Sequence, residues 1–290
     1  TVGGKTFTGV VQADGSWSVG VPASVIGALG EGSHSISVSV TDAAGNTGSA
    51  THGITLSGNP PEFTLDPISQ DNVLNALEAM QPLSLSGTSN LPNGSAVTVT
   101  LNNVNYQATV ENGSWSVQVP VSDVLDLANT LYTVSVSGTD SVGNSGSAEA
   151  NLLVDTALPQ VILNTFAGDN LVNNAEAAVD QTLSGRVTGA AAGDTVSVTV
   201  GGKSYTATVG SDLKWGVTIP SADLQAFGDG ELTFSASVTN AHGNTGTGER
   251  DININAELPG LRVNTISGDD VINAIEQQQD LAVTGSSTHL

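Results

Sequence analysis

Between residues 58 and 156, apolar and polar residues alternate in short runs. Leu83-Ser84-Leu85-Ser86-Gly87, Val97-Thr98-Val99-Thr100-Leu101 and Tyr106-Gln107-Ala108-Thr109-Val110 are three of them. Trp115-Ser116-Val117-Gln118-Val119 and Tyr132-Thr133-Val134-Ser135-Val136 continue the pattern. A period of two puts every second side chain on one face, as in a half-buried strand. Phe63-Thr64-Leu65 predicts a strand before this set, and Ala148 to Val154 one after it. Turn residues separate the runs: Pro92 and Gly94, Glu111-Asn112-Gly113, and Pro120. Seven short strands in about 100 residues predict an antiparallel immunoglobulin-like β-sandwich. Only residues 121–129 break the rhythm. Val121, Val124, Leu125 and Ala128 have the i, i+3, i+4, i+7 spacing of a short helical turn, which Pro120 introduces. Residues 23–29 and 221–227 are its counterparts, behind Pro22 and Pro220.

The pattern repeats. Trp17, Trp115 and Trp215 recur at steps of 98 and 100 residues, each in a similar phrase: Gly15-Ser16-Trp17-Ser18-Val19, Gly113-Ser114-Trp115-Ser116-Val117 and Lys214-Trp215-Gly216-Val217. A second phrase follows: Asp42 to Asn46, Asp140 to Asn144, and Asn240-Ala241-His242-Gly243-Asn244. A third precedes the Trp of the next unit: Asp71, Asn75 and Glu78; Asp169, Asn173 and Glu176; Asp269, Asn273 and Glu276. A period near 100 exceeds that of solenoids, so each repeat is expected to fold as its own domain. The expected architecture is all-β: tandem seven-stranded immunoglobulin-like sandwiches in an elongated array, each with one short helical turn. The expected boundaries are 1–57 (later strands of one domain), 58–156, 157–257, and 258–290 (first two strands of another). Each Trp lies in an alternating strand and is expected in the core.

Charge narrows the function. The chain holds 28 acidic and 6 basic side chains, a formal net charge of −22, and no Lys or Arg between residues 61 and 159. Nucleic acid needs cationic contacts to offset phosphate, so it is excluded as a partner. Attraction to an anionic membrane fails for the same reason, and no apolar stretch is long enough to span a bilayer. The chain opens in mid-repeat without a signal peptide and reads as a fragment. It has no cysteine, so in an extracellular setting stability comes without disulfides. Charge this one-sided calls for screening or for bound cations.

The phrases Asp140-Ser-Val-Gly-Asn144, Gly168-Asp169-Asn170-Leu-Val-Asn173-Asn-Ala-Glu176 and Gly-Ser-Trp-Ser-Val resemble the bacterial Ig-like repeats of giant RTX adhesins. That family comprises proteins of Gram-negative bacteria, exported to the cell surface by type I secretion, and includes the biofilm-associated proteins. The resemblance spans the whole chain. It implies an extracellular stalk for cell adhesion and biofilm formation, stiffened by Ca²⁺, with other parts of the parent protein meeting the host-cell surface or biofilm matrix. Neighbouring repeats of the same chain are then its immediate partners.

Strand order in such a sandwich places the acidic phrases beside the following repeat and the Gly-Asn loops beside the preceding one. Each junction gathers an acidic loop, a linker such as Asp155-Thr156-Ala157-Leu158-Pro159, and the next Gly-Asn loop. The i, i+4, i+7 spacing of Asp71, Asn75 and Glu78 puts three oxygen-bearing side chains on one face if the segment is helical. Oxygen donors without His or Cys suit Ca²⁺. The candidate metal ligands are Asp71, Asn75, Glu78, Asp140, Asn144, Asp155, Asp169, Asn173, Glu176, Asp269, Asn273, Glu276, Asp42 and Asn46. The alternative is that Asp71 caps a turn and Glu78 is a solvated charge. The junctions differ: Ser57 and Asn255 stand where the second linker has Asp155, Asn240 replaces Asp140, and the first linker carries Pro60-Pro61.

Catalysis has no support. His34, His52, His242 and His289 share no repeat position, so no recurring base stands near a nucleophile. Gly201-Gly202-Lys203-Ser204 reads as a hairpin turn, not a phosphate loop. A Lys–Asn cross-link is impossible in the middle repeat, which has no Lys. The two partial ends are nearly complementary, so frayed ends or head-to-tail completion between molecules is expected. Repeats that bind a host glycan or protein, and accessory modules of a carbohydrate-active enzyme, are the alternatives. With 4% aromatic residues, the chain favours the stalk.

Overall fold

The computed structural model describes residues 1–288, so His289 lies outside the described residues. The chain divides into two compact units, Thr1–Asn72 with Gln81–Leu153, and Val73–Met80 with Val154–Leu290.

The second unit contains a complete sandwich. Gln160–Leu163, Gln181–Thr188 and Lys214–Ile219 form one sheet, in that order. The other runs Leu171–Asn173, Thr245–Asn255, Gly230–Thr239, Thr195–Val200, Lys203–Thr208. All pairs are antiparallel except Leu171–Asn173, which lies parallel to Thr245–Asn255. The expected first strand, here Gln160–Leu163, is joined by a short strand, Leu171–Asn173, that was not expected. The two sit in opposite sheets, and the chain crosses between them at the acidic phrase Asp169-Asn170. Val196, Val198 and Val200 point inward from one sheet, and Leu183, Val187 and Trp215 are buried on the other. Each such side chain contributes about 1.5–3 kcal/mol by leaving water. The Phe166 and Phe234 rings meet at 5.0 Å between centroids, tilted by 60°, a favourable aromatic geometry.

The first unit holds the equivalent strands of the middle repeat. Leu83–Thr88 pairs with Ser114–Val119, while Ser145–Val154, Leu131–Thr139, Ala96–Leu101 and Val104–Thr109 line up in a second sheet. The expected strand at Phe63-Thr64-Leu65 is a strap rather than a ladder. Phe63 forms a single bridge to Ser89, and the Thr64 and Asp66 N–H groups donate to Thr88 and Ser86 carbonyls. Gly87 lies opposite Trp115 in the register, and a Cβ there would stand 1.9 Å from the Thr64 carbonyl oxygen. Gly185 occupies the same place opposite Trp215, 2.1 Å from the Ile162 oxygen. Glycine lets the strap and the indole lie on one strand.

The expected helical turns are Ala23–Ile26, Val121–Leu125 and Ser221–Phe227, the middle one shorter than its 121–129 pattern. Further short turns, Ile68–Gln70, Glu78–Met80, Asn174–Ala177 and Glu276–Gln278, lie at the acidic phrases, so a repeat holds more than the one expected. Each of the expected turns is tied down by a buried residue (Val25, Val124, Leu224). Two are also held to an edge strand. Tyr106 Oη donates to Asp123 at 2.9 Å and Tyr205 Oη to Asp223 at 2.7 Å, with Lys203 paired to Asp223. Burial, then the Asp123 hydrogen bond and charge, pushes the Tyr106 phenol up to about 12, and Tyr205 moves in the same direction for the same reasons. Gly201-Gly202 and Asn102-Asn103 all have positive φ and close two-residue hairpins, so Gly201 to Ser204 is the hairpin that its sequence suggests.

Trp115 and Trp215 are buried, at 2% and 4% exposure, but Trp17 is 53% exposed. Its strand forms only a bridge to Val11, and no strand matching Leu83–Thr88 covers it among the described residues. No helix among them is long and apolar enough to cross a membrane.

Candidate functional site

The Gly-Asn loops are self-closing. Asp140 Oδ1 accepts from the Val142 and Asn144 N–H groups at 3.0 and 2.8 Å, and its Oδ2 accepts from Asn144 Nδ2 at 2.8 Å. Asp42 does the same for Ala44 and Asn46, and Asn240 accepts from the His242 and Asn244 N–H groups. Gly45, Gly143 and Gly243 supply the left-handed residue the turn needs, at φ 92°, 101° and 81°. Asp140 and Asn144 are thus brought together, as are Asp42 and Asn46, but their polar atoms face each other to close the loop.

That closure sets a pH dependence. The Asn144 side-chain amide, more than the backbone N–H groups, holds the Asp140 carboxyl below the usual carboxylate range, and Asn46 does so for Asp42. A pKa lower in the folded state than unfolded means the contribution is complete above the unfolded value of about 3.9. It is lost as pH falls through the lower folded value. The Asn144 amide resonance is therefore expected to hold steady from neutral pH to about pH 4 and to move only below the normal Asp range. A midpoint at or above that range would contradict this role.

The acidic phrases form caps. Asn75 Oδ1 accepts from the Leu77 and Glu78 N–H groups, and Glu78 Oε2 accepts from the Asn75 N–H at 3.0 Å. Asn173 with Glu176, and Asn273 with Glu276, repeat this reciprocal capping box. The helical reading of the full i, i+4, i+7 spacing is corrected here, because an extended pair, Val73–Leu74, separates Asp71 from Asn75. Asp71 ends the turn Ile68–Gln70, its N–H bonded to the Ile68 carbonyl. Asp169 and Asp269 each accept from the N–H two residues on, at Leu171 and Val271.

Four positions carry structure that the sequence reading did not single out. Asn72, Asn170 and Asp270 have φ near 65° and accept from the N–H four residues back, at Ile68, Phe166 and Ile266. The signal was the second letter of each acidic phrase. Glu31 and Asp229, at matching repeat positions, accept from linker N–H groups at Gly58 and Ala256. Gly146 and Gly246 let Pro61 and Pro159 pass, since a Cβ would stand 1.8 and 1.7 Å from their carbonyl oxygens. The fourth is His242, which the sequence reading weighed only as a catalytic base.

The second junction lies within the second unit. Asn244, 2% exposed, donates through Nδ2 to the Asp155 carbonyl and accepts through Oδ1 from the Ala76 N–H, both at 2.8 Å. One side chain therefore ties the linker, the start of the capped turn and its own loop. His242 Nδ1 lies 2.5 Å from Asp155 Oδ2. The first linker has the equivalent tie in Asn144 Nδ2 to the Ser57 carbonyl, at 3.0 Å. After the third repeat, Asn174 Nδ2 donates to the Ala256 carbonyl at 2.7 Å.

As cation donors, these residues fit in kind. The junction oxygens are carboxylate, amide and carbonyl, the set that calcium accepts. Asp155, Glu78, Glu176 and Glu276 retain acceptor capacity, since a carboxylate offers about four lone-pair sites. Asp42, Asn46, Asp140 and Asn144 are largely spent on loop closure. Among the described residues no three His, Asp or Glu side chains converge in metal-binding range, so linker and loop carbonyls must supply much of any coordination sphere.

No protein-family model and no curated protein matches the chain. Among solved structures it is 32% identical to a Ca²⁺-stabilized adhesin that helps an Antarctic bacterium reach out and bind ice, covering 99% of this chain and 72% of that one, with a TM-score of 0.48. It is 33% identical to a 1.5-MDa bacterial ice-binding adhesin studied for host cell surface retention, over 80% and 77% of the two chains, with a TM-score of 0.44. It is 32% identical to a bacterial immunoglobulin-like domain of the M. primoryensis ice-binding adhesin, which covers 34% of this chain and 100% of that one, with a TM-score of 0.30. Identity near one third along most of both chains carries the relation. Joined to the repeated phrases and the sandwich fold, it shows that the chain belongs to the bacterial immunoglobulin-like repeats of large adhesins.

Proposed function

We propose that this chain is a structural stalk segment of a large bacterial cell-surface adhesin, acting in cell adhesion and biofilm formation after type I secretion. Its working units are the immunoglobulin-like domains at 58–156 and 157–257, flanked by the partial domains 1–57 and 258–290. Neighbouring repeats are its partners, and other parts of the parent protein make the adhesive contact. Ca²⁺ at the junctions limits bending between domains. Asp155, Glu78 and Glu176, with linker carbonyls, would hold it; the bound ion supplies positive charge where a chain of net charge −22 repels itself.

The observation that carries this reading is the side-chain tie at each linker, Asn144 to Ser57 and Asn244 to Asp155. Such ties fasten each linker to the Gly-Asn loop beside it and remove conformational freedom from the linker backbone. Identity to adhesin repeats supports it, and one of those relatives is described as Ca²⁺-stabilized. Solution X-ray scattering on the whole chain tests it. Calcium is expected to lengthen the maximum dimension and sharpen the distance distribution relative to chelator. An unchanged profile would overturn calcium stiffening.

A further inference from the structure

Two departures from the repeat pattern meet in space. Asp155 stands where the other linkers have Ser57 and Asn255, and His242 stands where the matching loop positions are Ala44 and Val142. Neither substitution predicts the other, because 87 residues separate them. In the second unit, the His242 Nδ1 to Asp155 Oδ2 distance is 2.5 Å, with side-chain exposures of 39% and 24%. The backbone holds both in place. The His242 N–H donates to Asn240 Oδ1 at 3.1 Å, and Gly243 turns the loop. Asn244 then binds the Asp155 carbonyl itself. The imidazole is thus delivered to the carboxylate by a loop already fastened to the same linker residue.

We propose that His242 occupies the Asp155 carboxylate in place of a divalent cation, so that this junction is latched by its own side chains and takes calcium only by displacing the imidazole. The proposal rests on the calcium reading above and assigns one junction a different state. An imidazole Nδ1–H donates to a carboxylate in both the neutral tautomer that carries that proton and the cation. The second Asp155 oxygen accepts from the Ala157 N–H at 3.2 Å. Calcium must therefore break a short hydrogen bond to gain the strongest acidic ligand of this linker. Losing one hydrogen bond to a charged group corresponds to an affinity penalty of about tenfold. His242 thereby determines which junctions hold calcium tightly.

Calorimetric calcium titration of the whole chain tests this, comparing wild type with His242→Val, which installs the residue found at position 142. One class of sites is expected to tighten about tenfold in the variant while the others stay unchanged. His242→Gln, milder in volume and polarity, is expected to fall between and guards against a folding defect in the first variant. Identical calcium isotherms in all three proteins overturn the latch and leave the calcium reading standing. Weaker binding in His242→Val makes His242 a support of the ion site and also overturns the latch. If wild type and variants bind no calcium at all, both the latch and the calcium reading fall.

Discussion

Replacing Trp115 with Ala is expected to lower the unfolding midpoint of the middle domain by about 12–40 °C. The indole is 2% exposed, and its Nε1–H donates to the Thr88 carbonyl at 3.2 Å. Truncating a buried Trp costs about 3–5 kcal/mol in lost burial and residual cavity. For a domain of about 100 residues, each kcal/mol moves the midpoint by roughly 4–8 °C. Scanning calorimetry of the whole chain reads this as one component moving down while the domain around Trp215 keeps its own transition. Trp17→Ala is the control. Its side chain is 53% exposed, so the expected loss is below about 1 kcal/mol. Equal shifts for Trp17 and Trp115 would refute the assignment of Trp115 to a closed core.

Gly246→Ala is expected to cost about 3 kcal/mol and to loosen the start of the third domain. The added Cβ would stand 1.7 Å from the Pro159 oxygen and 2.5 Å from its carbonyl carbon. Both are backbone atoms that cannot rotate away, so the linker end must move off the strand Thr245–Asn255. Overpacking of this kind costs about 1–3 kcal/mol, and more where backbone must shift. Hydrogen exchange should show faster exchange at the strand Gln160–Leu163, which follows Pro159. Gly146→Ala is expected to act in the same way against Pro61, 1.8 Å away. Gly48 stands at the same repeat position, yet nothing lies within 4 Å of a Cβ there. Gly48→Ala is therefore expected to be neutral, and a large effect there would undercut the steric account.

The strands and helical turns were legible because their information is local. Alternation in Leu83 to Gly87 or Val97 to Leu101 reports one buried face directly, and Pro120 marks a helix start by its own φ. The acidic phrases were legible as a recurring pattern but not as a shape. Asp71, Asn75 and Glu78 fit a helical face by spacing, yet Val73–Leu74 is extended because it pairs as sheet edge, the Asp155 N–H donating to the Leu74 carbonyl. Spacing cannot reveal such a partner 81 residues away. The Asn75–Glu78 and Asn173–Glu176 capping boxes, by contrast, are four-residue motifs that the letters contain, although the sequence reading took them for a helical face.

The sequence by itself determined the sandwich class, the recurrence of the polar phrases and the family. These follow from periodicity, turn chemistry and recurrence, which act along the chain. Only the tertiary structure decided what equivalent letters do. Gly146 and Gly246 read as ordinary strand glycines, but each has a proline carbonyl against it. His242 and Asp155 looked like unrelated exceptions until the fold set them 2.5 Å apart. The physical reason is the same in each case: burial, steric exclusion and hydrogen bonding depend on neighbours that are distant in the chain.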